Sequence, residues 1–283
     1  LPGWKLKNPH DFYFSFDWLN TASKGKSGKQ KKLASFFEQD ILTFKTFGGH
    51  NVNRNLLHLE NVTLLSANGT GNSDLSLAAL QVSARQIRFG AIKLLAAVVP
   101  TRPIPSNIGF VIIPKMDLQG YNKFSVKNFV KYVDTDYALI VQPDGFVLNP
   151  ERWQSCFLDY DYIGAPWPKS LCGNFPKYRV GNSGFCLRSR RFLEQIARLR
   201  YSPGSADDIL FCRRQRQKLE DRGIRYATPK IAARFSIELP VPENPGASIR
   251  HVFGFHGKIT LRHRHLCRWL CDWNKRRTFQ TRH

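Results

Sequence analysis

Four short stretches hold side chains whose types and spacing could do chemistry. Gln142-Pro-Asp-Gly145 places one carboxylate, Asp144, directly after the apolar run Tyr137-Ala-Leu-Ile-Val141. Pro143 lacks an amide donor and Gly145 tolerates unusual backbone angles, so the run stops here and the chain can bend around whatever the acid faces. Asp207-Asp208 opens a predicted helix that runs through Leu219. The N-terminal dipole favours carboxylates there, which leaves two readings open, a helix cap or a proton acceptor. Gly181-Asn-Ser-Gly184 combines small residues that permit close approach with Asn182, whose amide both donates and accepts. Phe253-Gly-Phe-His-Gly257 sets His256 between glycines that let backbone amides approach phosphate oxygens, although a histidine among aromatics is by itself more often a packed side chain.

The elements that must position these residues follow from the hydrophobic pattern. Val62-Thr-Leu-Leu65 reads as a first strand and Ser66 to Gly71 as the loop after it. Ser73 can cap a helix whose apolar residues Leu77, Leu80, Ala84 and Ile87 recur at helical spacing, with Gly90 at its C-terminal stop. Ala91 to Val99 and Ile108 to Ile113 supply a second and a third strand, Lys123 to Val133 a helix with Phe129 and Val133 inward, and Tyr137 to Val141 the fourth strand. This order implies a mainly parallel sheet with helical crossovers. In such α/β sheets ligands bind beyond the carboxyl ends of the strands, where both Asp144 and the loop beginning at Ser66 would open.

Composition sets the outer limits. The 283 residues suffice for one large α/β domain with appendages. Lys and Arg number 43 against 21 Asp and Glu, a formal charge of +22 that points to a polyanionic partner such as an anionic lipid, a nucleic acid or a phosphorylated glycan. No apolar run is long enough to span a membrane, and the first residues lack the compact apolar stretch of a secretory signal. The six cysteines, 156, 172, 186, 212, 267 and 271, form no CxxC and read as free thiols, so the expected location is cytoplasmic, with peripheral attachment to a membrane as an option.

The ordered set of motifs resembles a family placed in the GT-A glycosyltransferase superfamily. The matching pieces are Gln142-Pro-Asp-Gly145, Tyr160-Asp-Tyr-Ile-Gly-Ala-Pro-Trp167, Gly181-Asn-Ser-Gly-Phe-Cys-Leu-Arg188, Asp207-Asp208, Gly223-Ile-Arg-Tyr-Ala227, Arg234-Phe-Ser-Ile-Glu238 and Phe253-Gly-Phe-His-Gly257. They span about Asn61 to Gly257. The resemblance implies an α/β fold of GT-A type, a mixed, mainly parallel sheet flanked by helices, with a Rossmann-like nucleotide-sugar-binding half and an acceptor half. It also implies a metal-assisted glycosyltransferase, inverting in outcome, that uses a nucleotide-sugar, UDP-linked by expectation. Asp144 and His256 would hold a divalent cation, Mn2+ or Mg2+. Gln142 stands where the usual first Asp would be, which leaves a single carboxylate in that element. Asp208 would take the acceptor proton, with Asp207 beside it in place of the family's commoner Glu. Gln142, Gly145, Ser66, Asn182, Ser183, Gly184 and Gly257 would line the nucleotide-sugar, and Trp167 would stack on a sugar or simply pack. Asp159 and Asp161 are expected to be structural.

Three regions result: an N-terminal basic and aromatic extension over 1–58, the catalytic domain over 59–257, and a basic tail over 258–283. The extension carries five lysines between Ser23 and Lys32, a solvated loop by expectation. The tail has eight Lys or Arg against one Asp, and Leu266, Trp269, Leu270 and Trp273 recur at helical spacing. That apolar face either lies on an anionic membrane or folds back onto the domain. The acceptor is then a hydroxyl on an anionic or membrane-associated molecule. A DNA- or RNA-modifying transferase and a non-catalytic basic binding module on the same scaffold are the alternatives.

Overall fold

In a computed structural model of the chain, which describes residues 56–71, 73–257 and 265–272, the sheet is built outward from β1 (Leu57–Asn68). Val62, Leu64 and Leu65 of β1 are fully buried, as in a strand covered on both faces. It pairs in parallel with β2 (Ile87–Ala96) on one side and β4 (Tyr137–Ile140) on the other, and β3 (Gly109–Ile112) adds to β2 in parallel. Beyond β4 the sheet turns antiparallel. There β6 (Cys186–Ser189) pairs with both β4 and β5 (Tyr162–Gly164), so the order is β3-β2-β1-β4-β6-β5. The expected mixed, mainly parallel α/β sheet flanked by helices is therefore observed.

The helices are α1 (Ser73–Ser83), α2 (Leu118–Asn128), α3 (Arg190–Ala197), α4 (Asp207–Ile209), α5 (Arg216–Glu220), α6 (Pro229–Phe235) and α7 (265–272). Several begin on a capping side chain. Asp117 accepts from the Gly120 amide, Ser189 from Phe192 and Thr228 from Ile231, each satisfying an otherwise orphaned donor of a first turn. Asp117 starts α2 ahead of the expected Lys123, and a 3-10 turn (Phe129–Tyr132) carries it to Val133, with Phe129 and Val133 inward as expected.

Three sequence expectations shift. α1 ends at Ser83, and Ile87 opens β2 instead of closing the helix. Gly90 lies inside β2, not at a helix stop. The pairing of β1 with β2 slips between Leu59 and Thr63, and a Cβ on Gly90 would stand 2.0 Å from the carbonyl oxygen of Glu60. Glycine is needed there for a close approach of two backbones at a bulge. The helix expected from Asp207 through Leu219 is also broken: α4 passes into a π-helical stretch (Leu210–Arg214) before α5, with the Gln215 amide bonded to the Leu210 carbonyl.

A second, two-stranded parallel sheet joins β7 (Ser236–Ile237) to β8 (Gly254–Phe255). Phe253 anchors it among Trp153, Phe185 and Phe235, with ring centroids 5.1 to 6.0 Å apart. The apolar face of α7 is spent on this domain: Leu266, Trp269 and Leu270 are buried, Trp269 lies 6.4 Å from Phe146, and the Arg85 guanidinium sits over the Trp269 ring at 5.4 Å. Of the two destinations expected for the tail's apolar face, the domain is the one observed for residues 265–272. The N-terminal extension up to residue 55, its lysine run, and tail residues 258–264 and 273–283 lie outside the described residues.

Candidate functional site

Where β4 ends, Val141 still bonds to Leu65 of β1, and then Gln142 and Gly145 close a tight turn by exchanging amide-to-carbonyl bonds of 2.7 and 2.9 Å. Pro143 and Asp144 are its two corner residues, so proline's fixed φ and missing N–H suit the sequence to the turn. The chain leaving the turn runs against the segment around β8. Leu148 donates to the Phe253 carbonyl, Gly257 donates to the Asp144 carbonyl, and His256 donates to Ile237 of β7. Phe146 meets Phe255 edge-to-face at 4.9 Å. These bonds carry His256, distant in sequence, to the side of Asp144, with Nε2 3.7 Å from the carboxylate.

Glycines make room for the imidazole. A Cβ on Gly145 would stand 2.8 Å from His256 Cδ2, and one on Gly184 would stand 1.9 Å from Nε2. The imidazole therefore occupies the place that a side chain on residue 184 would take. Asn182, in the left-handed region at φ 69°, accepts the Gly184 and Phe185 amides on Oδ1, which turns its Nδ2 toward His256 Nδ1 at 2.9 Å. Glu238 lies 3.4 Å from the same ring nitrogen. Burial alone would lower the His256 pKa, but Asp144, Glu238 and Asp208 outweigh it and hold the imidazole above its ordinary value.

Asp144 and His256 offer a divalent cation one carboxylate and one imidazole nitrogen 3.7 Å apart. The Asn182 amide donates to Nδ1, so the neutral ring carries its proton on Nε2 toward Asp144, and a cation would have to displace that proton for Nε2 to serve as a ligand. Among the described residues no group of three or more His, Cys, Asp or Glu side chains is gathered as a metal cluster. The protein would thus supply two ligands, and phosphate oxygens and water the rest, a division typical of Mg2+ sites.

The adjacent acids have separate fates. Asp207 is almost wholly buried: Oδ2 accepts from Ser125 Oγ at 2.6 Å and lies 3.4 Å from the guanidinium of the equally buried Arg188, and Oδ1 accepts the Asp208 amide. Arg188 in turn is sandwiched near Phe211 and Phe129. Asp207 is thereby occupied in the interior, which argues against the catalytic place expected for it. Asp208 points elsewhere. Burial, the Asp207 charge and Glu238 push its pKa up to about 7, against the pull of the Ile209 amide and Arg213.

Other expected site residues are placed as follows. Ser66 is inside β1 and fully buried, because the strand runs on to Asn68; the loop opens only after Asn68, whose carboxamide oxygen accepts from the Thr70 amide and hydroxyl. A ligand-lining role for Ser66 does not suit that position. Gln142 donates its side-chain amide to the Tyr121 hydroxyl at 2.8 Å. The amides of Gly145, Gly184 and Gly257 are all bonded within the protein, so these glycines provide space and not phosphate donors. Ser183 is half-buried beside Asn182. Trp167 packs: Gly181 abuts its ring and the Arg213 guanidinium covers it at 4.0 Å, leaving 6% of the residue exposed. Asp161 accepts from Ser189 and the Arg225 amide, a structural role as expected.

Glu238, Tyr121 and Ser125 are site neighbours with no role assigned from the sequence. Glu238 carried a signal, since it closes the Arg234-Phe-Ser-Ile-Glu238 motif; Tyr121 and Ser125 lie on α2 with no motif around them.

A family model described as "Protein of unknown function (DUF5672)" matches residues 112–256, a span that takes in Asp144, Asn182, Asp208, Glu238 and His256. No curated protein matches the chain. Among solved structures the chain is similar to A197 from STIV, with 15% identity and a TM-score of 0.35 over 58% of this chain and 79% of that one. It is also similar to the mannosyltransferase PcManGT from Pyrobaculum calidifontis, solved in complex with GDP-Man and Mn2+. That likeness has 12% identity and a TM-score of 0.39, and covers 70% of this chain and 64% of the transferase, just under two thirds of its length.

Proposed function

The chain belongs to the DUF5672 family, and from the site its matched residues build we propose that it is a glycosyltransferase of GT-A type, moving a sugar from a nucleotide-sugar, UDP-linked, to a hydroxyl of an anionic acceptor. The observation that carries this reading is the meeting of Asp144 and His256 at 3.7 Å beyond the carboxyl end of β4, the edge at which α/β sheets bind ligands. The order of motifs from Gln142 to Gly257 supports it independently.

In this reading Asp144 and Nε2 of His256 would hold Mn2+ or Mg2+ beside the donor's diphosphate. The cation, when bound, offsets the negative charge that builds on the departing diphosphate. Asn182 donates to Nδ1 and, with Glu238 beside the same nitrogen, keeps the ring from turning. Asp208 is the base. Its pKa near 7 leaves a useful fraction ionised at neutral pH with strong affinity for a proton. It accepts the proton of the acceptor hydroxyl as that oxygen bonds to the anomeric carbon, while the bond from that carbon to the diphosphate oxygen breaks, which inverts the configuration. Asp208 lies close enough for its charge to raise the His256 pKa, so base and diphosphate grip share one electrostatic environment.

The test is hydrolysis or transfer from a panel of nucleotide-sugars with Mn2+ present. Turnover in the wild type that falls by roughly 100-fold or more in both Asp144→Asn and Asp208→Asn is expected. Absence of turnover with every donor, together with no metal-dependent nucleotide binding, would leave a binding module on this scaffold.

A further inference from the structure

Four cations of the described surface are left without carboxylates around a common hollow. The hollow, of about 420 Å³, is formed where α3 ends and α5 begins and ends, and is lined by Arg198, Arg200, Lys218 and Arg222 with Gln195 and Gln215 between them. It shares no residue with the Asp144 and His256 site. Its volume is within the range of small-molecule pockets, and its lining contains no acid.

Helix ends commonly carry basic residues, because the C-terminal dipole attracts them. That explanation is already used up at α3, where Lys127 Nζ donates to the carbonyls of Ala197 and Leu199. No carboxylate is ion-paired to the group among the described residues, the exposed Glu194 one residue before Gln195 included. Glu220 is bonded to Arg216 at 2.8 Å, Asp221 accepts from Gln217, and Asp161 faces Arg191. Arg222 spends one nitrogen on Gln195, a neutral partner, and no ion pair joins any of the four cations to an acid among the described residues. Like charges held around one concavity repel, and a multivalent anion relieves that repulsion while taking forked hydrogen bonds from the guanidinium groups.

We propose that this hollow is a binding site for a molecule bearing two or more phosphates on a polyol, the arginines and Lys218 taking the phosphates and the two glutamines the hydroxyls. Such a ligand can be a free phosphorylated polyol or the headgroup of an inositol lipid, and the chemistry of recognition is the same for both.

The full chain is titrated calorimetrically with inositol trisphosphate in the presence of a chelator, which keeps metal-dependent binding at Asp144 out of the measurement. Vesicles of phosphatidylcholine with and without phosphatidylinositol bisphosphate form the second arm. Arg200→Glu with Lys218→Glu is compared with Arg152→Glu and Lys230→Glu, an equal charge change at exposed positions outside the hollow. The expected result is a loss of roughly tenfold or more for the first pair and about threefold or less for the second. Should charge reversal impair folding, Arg200→Gln with Lys218→Gln gives the same comparison with a smaller loss. Loss confined to vesicles assigns the lipid headgroup, and loss for the soluble probe assigns the free polyol. Equal losses in the two pairs, or no wild-type binding of either probe at about millimolar concentration, would overturn the proposal.

Discussion

Neutralising one aspartate at a time at positions 207 and 208 should move stability in opposite directions. Asp208 has a folded-state pKa near 7 against an ordinary value of 3.8, so between those values the native protein binds the proton more tightly than the unfolded chain. Its contribution is therefore fully present at acid pH and is lost as pH rises through about 7. A difference of about three units at 1.36 kcal/mol each caps that loss at ~4 kcal/mol. Asp208→Asn keeps the acceptor for the Ile209 amide but carries no charge, so it should match the wild type near pH 4 and exceed it by up to ~4 kcal/mol at pH 8 and above. Asp207→Asn removes the partner of the wholly buried Arg188 and should cost ~3–5 kcal/mol at neutral pH. It should also lower the Asp208 pKa, because the Asp207 charge is the second cause of that shift. Urea unfolding of the three proteins at a series of pH values between about 4 and 9 reads both effects. A stability difference between Asp208→Asn and wild type that is flat across the series, or a net loss at pH 8, would mean that Asp208 does not hold a raised pKa in the native protein.

Other outcomes follow from the same geometry. Gly184→Ala should fold yet lose metal-dependent nucleotide binding, because its methyl group would displace the His256 ring; unchanged binding by calorimetry would contradict the seat assigned to that ring. Trp269→Ala should lower stability by ~3–5 kcal/mol in denaturant unfolding, since α7 packs this ring onto the domain; a loss well below 1 kcal/mol would count against that packing.

Much of the architecture was legible because apolar runs mark buried parallel strands whatever their partners. Boundaries were less so. Ile87 continues the helical spacing of Leu77 and Leu80 by coincidence and belongs to β2, and Gly90 carries the mark of a helix stop while serving a strand bulge. In the site, Asp144 could be placed at a strand end from the turn residues around it, since that information is local. The separate fates of Asp207 and Asp208 could not, because the partners that distinguish them, Ser125, Arg188 and Glu238, come from α2, β6 and the end of β7. The same holds for Trp167, whose aromatic character suits stacking and packing equally until Arg213 and Gly181 are seen against it. Ser66 was misplaced by the smallest margin: a strand that ends at Asn68 instead of Leu65 turns a loop residue into an interior one.

In the proposed function Asp144 and His256 together grip a nucleotide diphosphate through a divalent cation. Calorimetric titration of the full chain with UDP, with Mn2+ and then with chelator, tests it directly. Binding is expected to require Mn2+ and to weaken by roughly tenfold or more in Asp144→Asn and in His256→Ala. Binding of equal strength with and without the metal, or unchanged in both variants, would contradict it.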